Sequence, residues 1–193
     1  MSLYKLIGLV LTYPEADWIE ALGDLRVATT AEIQHRTAAR ALQPLLTDLA
    51  QHTLLDAQER YVATFDQTPG QSLYLLEHTI GDGPGRGQGL VDLLEQYRKH
   101  GLEIACAELP DFVPLYLEFL SLLPPPQARQ DLIRFQPVME TLASRLREAR
   151  SPYAAAFDGL LVMARARAGL HMHVPAQAMR WVRARWSLSR GHE

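Results

Sequence analysis

Apolar side chains recur along this chain with the period of a helix. Ala38, Leu42, Leu45, Leu46 and Leu49 fall at i, i+4, i+7, i+8 and i+11, one stripe of an amphipathic helix. Leu54, Tyr61, Val62 and Phe65 continue that period in the next segment. Leu90, Val91, Leu94 and Tyr97 share a side, with Asp92, Glu95, Gln96 and Lys99 opposite. Leu132, Phe135, Met139, Leu142 and Leu146 make a further stripe, and so do Phe157, Leu160, Leu161 and Ala164. No alternating strand pattern and no tight hairpin signal stand out. The pattern predicts an all-α, single-domain helical bundle.

Turn residues divide these stripes. Thr12-Tyr13-Pro14, Thr68-Pro69-Gly70, the run from Gly81 to Gly89, His100-Gly101, Leu109-Pro110-Asp111, Pro124-Pro125-Pro126 and Ser151-Pro152 all read as helix ends. Pro44 and Pro137 fall within helical patterns and are expected to kink or shorten those helices. Ser72 to His78 reads as helix. A helical domain over 1–175 is expected, followed over 176–193 by a basic, aromatic helix or loose tail. That end carries Arg180, Arg183, Arg185 and Arg190 with Trp181 and Trp186.

One helix stands apart. In DFVPLYLEFLSLL, Asp111 to Leu123, Asp111 is a good N-cap and Pro114 falls in the first turn, where its missing N–H costs nothing. Beyond them the segment is apolar nearly all round, as in a central, buried helix. Glu118 is its one charge. A buried carboxylate must be paired, hydrogen-bonded or neutralised. Two readings stand: a structural pair with an arginine such as Arg86, or an anchor at the floor of a groove.

Composition and charge narrow the function classes. The chain has 193 residues, 48% hydrophobic and 21% charged, which suits a folded domain. A formal net charge of −3 argues against general nucleic-acid binding. Its one cysteine, Cys106, cannot form an internal disulfide, which fits a reducing compartment. The apolar opening MSLYKLIGLVLTYPEAD is stopped at Tyr13-Pro14, short of the roughly 20 residues that span a bilayer. It also lacks the charged n-region and cleavage site of a signal peptide. A cytoplasmic chain without stable membrane insertion is expected.

The stretch GDGPGRGQG packs five of the chain's 12 glycines into nine residues. It matches neither nucleotide motif: Arg86 stands where a dinucleotide fingerprint needs its third glycine, and Gln88-Gly89 follow Gly87 where a phosphate loop needs Lys then Ser or Thr. The run reads as a flexible connector that ends one helix and opens the next at Gly87, with Gly81, Gly83, Gly85 and Gly87 as hinge candidates. His171-Met172-His173 lacks further ligands at metal spacing, and no metal or cofactor is expected. Cys106 reads as a small core residue. His78, beside Glu77, reads as a partner of a helix C-terminus or as a site residue. No nucleophile elbow supports hydrolase chemistry.

Tyr61 to Ser121 carries a specific motif set. Its elements are Tyr61-Val62, Phe65-Asp66, Ser72-Leu73, Glu77-His78, Gly81 and Arg86-Gly87-Gln88. Asp92-Leu93-Leu94, Tyr97, Gly101-Leu102, Glu108-Leu109-Pro110-Asp111, Pro114-Leu115 and Leu117-Glu118-Phe119-Leu120 follow. This stretch resembles the NarJ family, the delta-type assembly chaperones of respiratory nitrate reductase, and the opening LYKLIGLVLTYPE looks like that family's start. The resemblance covers most of residues 1–123. It implies a cytoplasmic, all-helical chaperone of the TorD-like superfamily, without turnover. Such a chaperone holds the catalytic α subunit of nitrate reductase by its N-terminal segment and keeps it open for molybdenum cofactor insertion before membrane docking. Phe112 stands where the wider superfamily often has His.

A binding role agrees with the residues. Helix-in-groove recognition needs an apolar trough with a few polar anchors. Tyr61, Phe65, Tyr116 and Phe119 are the expected lining, and Glu108, Asp111 and Glu118 the acidic anchors. His78, Arg86 and Phe112 complete the candidate client-binding set. A pterin- or nucleotide-binding protein and a helical scaffolding adaptor remain as alternatives.

Overall fold

A computed structural model describes residues 2–31, 36–81, 83, 85–166 and 188–190. Eleven α-helices carry the described part, so the fold is all-α: α1 (Leu3–Val10), α2 (Ala16–Glu20), α3 (Leu22–Ala31), α4 (Arg36–Gln51), α5 (Leu54–Tyr61), α6 (Leu75–Thr79), α7 (Gly85–Lys99), α8 (Val113–Leu122), α9 (Pro125–Arg134), α10 (Gln136–Glu148) and α11 (Ala154–Arg165). A π-helical turn, Val62–Asp66, continues α5, and a 3₁₀ turn, Pro69–Gln71, follows it.

The core forms around α8, whose residues Val113 to Leu120 are all buried. Helix α1 packs on α8, α11 on α4, α10 on α11 and α3 on α4. Gly8 lets α1 approach closely: a Cβ there would meet the Pro114 carbonyl oxygen at 3.2 Å. The stripe from Ala38 to Leu49 forms α4, and that from Phe157 to Ala164 forms α11, as expected. Pro44 lies inside α4 and does not end it.

Several local readings change. The stripe from Leu132 to Leu146 belongs to two helices, because Phe135 leaves the helical region (φ −104°, ψ 13°) to cap both α9 and α10. Pro137 therefore sits in a first turn, where it disturbs nothing. Ser72 to Tyr74 is not helical: Tyr74 makes an antiparallel bridge with Phe112, and α6 starts at Leu75. Helix α7 starts at Gly85, earlier than Gly87, so Gly85 and Gly87 lie within it. Gly81 keeps the left-handed conformation (φ +64°) that a turn between α6 and α7 requires.

Two short strands, unmarked by any alternation, pair antiparallel: β1 (Leu102–Ile104) with β2 (Leu188–Arg190). Their register joins Leu102 to Arg190, Glu103 to Ser189 and Ile104 to Leu188. Apart from β2, the expected C-terminal helix or tail lies outside the described residues, as does His171-Met172-His173.

Asp111 does not cap α8. Phe112 holds that position, and the Asp111 carboxylate turns instead to α6, accepting from the Leu76 backbone N–H at 3.1 Å. The Asp111 carbonyl accepts from the Leu75 N–H at 3.0 Å, and the Leu73 carbonyl from the Val113 N–H at 2.8 Å. Asp111 thus closes the start of a neighbouring helix, one that has no side-chain cap of its own.

Candidate functional site

A cleft of about 420 Å³ opens where six segments meet. Thr12, Tyr13 and Glu15 come from the loop after α1, Tyr61 from the end of α5, and Phe65 and Asp66 from the π turn. Ser72, Leu73 and Tyr74 form an extended wall, Cys106, Ala107 and Glu108 face in from the loop after β1, and Phe112 comes from the entry to α8.

Each wall is held by identifiable bonds. In the π turn the Gln67 N–H donates to the Val62 carbonyl, five residues back, at 2.9 Å. Such turns concentrate at functional sites, and this one presents Phe65 and Asp66. Behind them Phe65 and Tyr61 pack on buried Tyr153, with ring centroids 4.8 and 6.2 Å away. Tyr13 meets Tyr61 edge-on at 5.7 Å, and the Tyr61 hydroxyl donates to the Leu11 carbonyl at 3.2 Å. Gln58 Nε2, donating to the Pro14 carbonyl at 2.8 Å, ties the first loop to α5. On the opposite wall Tyr74 packs on Phe112 at 5.4 Å and donates from its hydroxyl to Glu108 at 2.9 Å.

The electrostatics are one-sided. Among the described lining residues the charged ones are Glu15, Asp66 and Glu108, all acidic. Burial pushes the Tyr61 hydroxyl up, helped by Asp66; burial and then the bond to Glu108 do the same for Tyr74. Both phenols therefore remain protonated donors at neutral pH. The cleft offers aromatic surface and negative charge, which suits a segment combining apolar and basic side chains. Among the described residues no group of three or more His, Cys, Asp or Glu is placed to hold a metal.

Of the expected binding residues, Tyr61, Phe65, Glu108 and Phe112 meet in this cleft. Tyr116 and Phe119 do not line it; both are wholly buried in the core, since α8 is apolar on every side. Glu118 also lies away from the cleft lining, 6% exposed on α8. Its expected pairing with Arg86 is replaced by an ion pair with Lys5 Nζ at 3.4 Å. Arg86 donates to Glu77 at 3.0 Å, linking α7 to α6. His78 sits behind the wall: Nε2, which must carry the proton, donates to the Ser72 carbonyl at 2.7 Å.

Sequence reasoning missed Thr12, Tyr13, Glu15, Asp66, Ser72, Leu73, Tyr74 and Ala107, and it placed Cys106 in the core. Cys106 is half-buried and lines the cleft. The available signal was a cluster of aromatic and acidic residues at turns: Tyr13 next to Pro14, and Tyr74 just past the Thr68-Pro69-Gly70 turn.

The comparisons with known proteins agree with one another. A family model described as nitrate reductase delta subunit matches residues 32–158. Over 168 residues the chain is 39% identical to the probable nitrate reductase molybdenum cofactor assembly chaperone NarW of Escherichia coli strain K12, covering 85% of this chain and 68% of that protein. The nitrate reductase molybdenum cofactor assembly chaperone NarJ of the same strain is 39% identical over 160 residues, 82% of this chain and 68% of that one. The probable NarJ chaperone of Bacillus subtilis strain 168 is 30% identical over 158 residues, 82% of this chain and 85% of that one.

Proposed function

The chain belongs to the nitrate reductase delta subunit family, and on that premise we propose that it is a cytoplasmic assembly chaperone for nitrate reductase. In this reading it binds the N-terminal segment of the catalytic α subunit and supports molybdenum cofactor insertion before that subunit docks at the membrane. It turns over no substrate. The observation that carries the reading is the cleft, where aromatic rings and three carboxylates meet among the described residues. A client helix with apolar and basic side chains would set its apolar face on Tyr13, Tyr61, Phe65 and Phe112 and its cations against Asp66 and Glu108. His78, Arg86 and Asp111 then act on the client through the walls they brace. Gly81 and Gly83 allow α6 to move against α7, while Gly85 and Gly87 would take part only as the first turn of α7 frays.

Titration calorimetry of the full chain with a peptide of the α subunit's N-terminal segment tests this. The peptide is expected to bind, and Tyr74→Ala to weaken it. Binding of molybdopterin or a nucleotide, with no response to the peptide, overturns the proposal in favour of a small-molecule carrier. No response to any of these leaves the scaffolding adaptor and equally overturns it.

A further inference from the structure

Tyr153 stands behind the cleft and faces two ways. On one side its ring packs on Phe65 and Tyr61, with centroids 4.8 and 6.2 Å away. On the other it meets a narrow pocket, lined by Asp48, His52 and Arg60, that has no room for a water. Tyr153 is 2% exposed, and its hydroxyl has no hydrogen-bond partner among the described residues.

A phenol buried in this way is costly, because the bonds it made to water are not replaced. The polar groups around it are engaged with one another. Arg60 donates to the Asp48 carboxylate at 2.8 and 3.2 Å, and His52 Nδ1 bonds the Asp48 carbonyl at 2.7 Å. Burial pushes the Tyr153 hydroxyl up, with Arg60 drawing it down and Asp48 adding to the rise, so both charges lie close to it. A carboxylate has about four acceptor sites, so Asp48 can take a phenol O–H and keep Arg60. The corner that carries Tyr153 is under strain as well. Arg150 is left-handed at φ +56°, and the buried Ser151 Oγ also lacks a partner among the described residues. Strain of this kind concentrates at ligand clamps and switches.

Pressure on the cleft reaches Tyr153 through one ring. Tyr61 is pinned by its hydroxyl to the Leu11 carbonyl at 3.2 Å, whereas Phe65 has no polar handle and sits in the π turn. We propose that Tyr153 is a positioning residue of the cleft, its hydroxyl unpartnered in the free chain and brought to Asp48 when a client displaces Phe65. This rests on reading the cleft as a peptide site. The bound state then gains a hydrogen bond that the free state lacks, which favours a segment bulky enough to move Phe65.

Tyr153→Phe in the full chain removes the hydroxyl and keeps the ring. Its melting temperature should rise by roughly 2–4 °C, because an unpaired group leaves the free state. Calorimetry with a peptide of the α subunit's N-terminal segment should show binding weaker by about tenfold, the worth of one hydrogen bond. A ring with a purely structural role moves the first and not the second, so a raised melting temperature with unchanged affinity overturns the proposal. An unchanged or lowered melting temperature means the hydroxyl is already partnered in the free chain, and overturns it too. In an Asp48→Ala background, Tyr153→Phe should no longer alter affinity; an undiminished loss there rules out Asp48 as the partner and sinks the mechanism. Wild-type chain that binds no peptide removes the peptide-site reading and this one with it. Wild-type binding that Tyr153→Phe leaves untouched removes this one alone.

Discussion

The Asp111 carboxylate, wholly buried, accepts a hydrogen bond from the Leu76 backbone N–H at 3.1 Å and so closes a helix to which it does not belong. Burial pushes that carboxyl upward, against the Leu76 bond and the nearby Arg86 charge, which pull it down. Asp111→Ala would leave a buried N–H unpaired at a cost of about 1–3 kcal/mol, read as a lowered urea midpoint.

The same carboxyl gives a pH signature. Its folded-state pKa lies above the unfolded value, so the native state holds that proton more tightly and the group's cost to stability grows as pH rises. Asn keeps an acceptor for Leu76 and has no charge to bury. The stability of Asp111→Asn relative to wild type should therefore improve from about pH 4 upward and level off above the folded pKa. Denaturant titrations across that range measure it; a flat difference would mean the upward shift is absent.

Glu118 and Lys5 join α8 to α1 at 3.4 Å, away from the cleft lining. Glu118→Gln should cost roughly 1–3 kcal/mol of stability and leave peptide affinity unchanged. Glu108→Gln, inside the cleft, should do the reverse: a small thermal shift and binding weaker by about tenfold. Melting temperature and calorimetry on both variants decide. Weakened binding in Glu118→Gln at unchanged stability would return that residue to the site.

Helix α10 ends in a left-handed residue that is not glycine. Arg150 has φ +56°, its N–H bonds the Arg147 carbonyl at 2.9 Å, and the Ser151 N–H bonds the Leu146 carbonyl at 2.8 Å. This is the Schellman arrangement, which favours glycine at that place. Arg150→Gly should relieve about 1 kcal/mol and raise the melting temperature by roughly 2–4 °C. An unchanged or lower melting temperature would show that the arginine side chain offsets the strain.

Gly8 faces the opposite constraint. Gly8→Ala would push a Cβ to 3.2 Å from the Pro114 carbonyl oxygen. The two helices must separate, at roughly 1–3 kcal/mol. Thermal denaturation without loss of helix content is the expected signature.

The helices were legible because most of them turn one apolar stripe to the core, as α4 does with Leu42, Leu45, Leu46 and Leu49. Helix α8 was legible for the opposite reason, having no polar face. That same uniformity marks no side of it as wall or core: helical spacing alone suggests Tyr116 and Phe119 as lining, whereas both are core. The cleft was half legible. Tyr61 and Phe65 follow helical spacing, whereas Tyr13, Tyr74 and Cys106 arrive from loops whose meeting depends on contacts distant in sequence, such as the Tyr74–Phe112 bridge. Asp111 looked like a local cap because the competing N–H of Leu76 lies 35 residues away in sequence.

The π turn at Val62–Asp66 makes the cleft sensitive to chain length as well as to residue identity. Its Gln67-to-Val62 bond spans one residue more than an α-helix would. Removing a single residue here would let ordinary helix run through, turning every later side chain by about 100°. Phe65 would swing from Tyr153, and Asp66 from the cleft mouth, with no change to any residue that lines the site. Between descendants of a common ancestor, a one-residue gap at this place would thus count as a change of binding preference, where in a surface loop it would be a neutral difference in length.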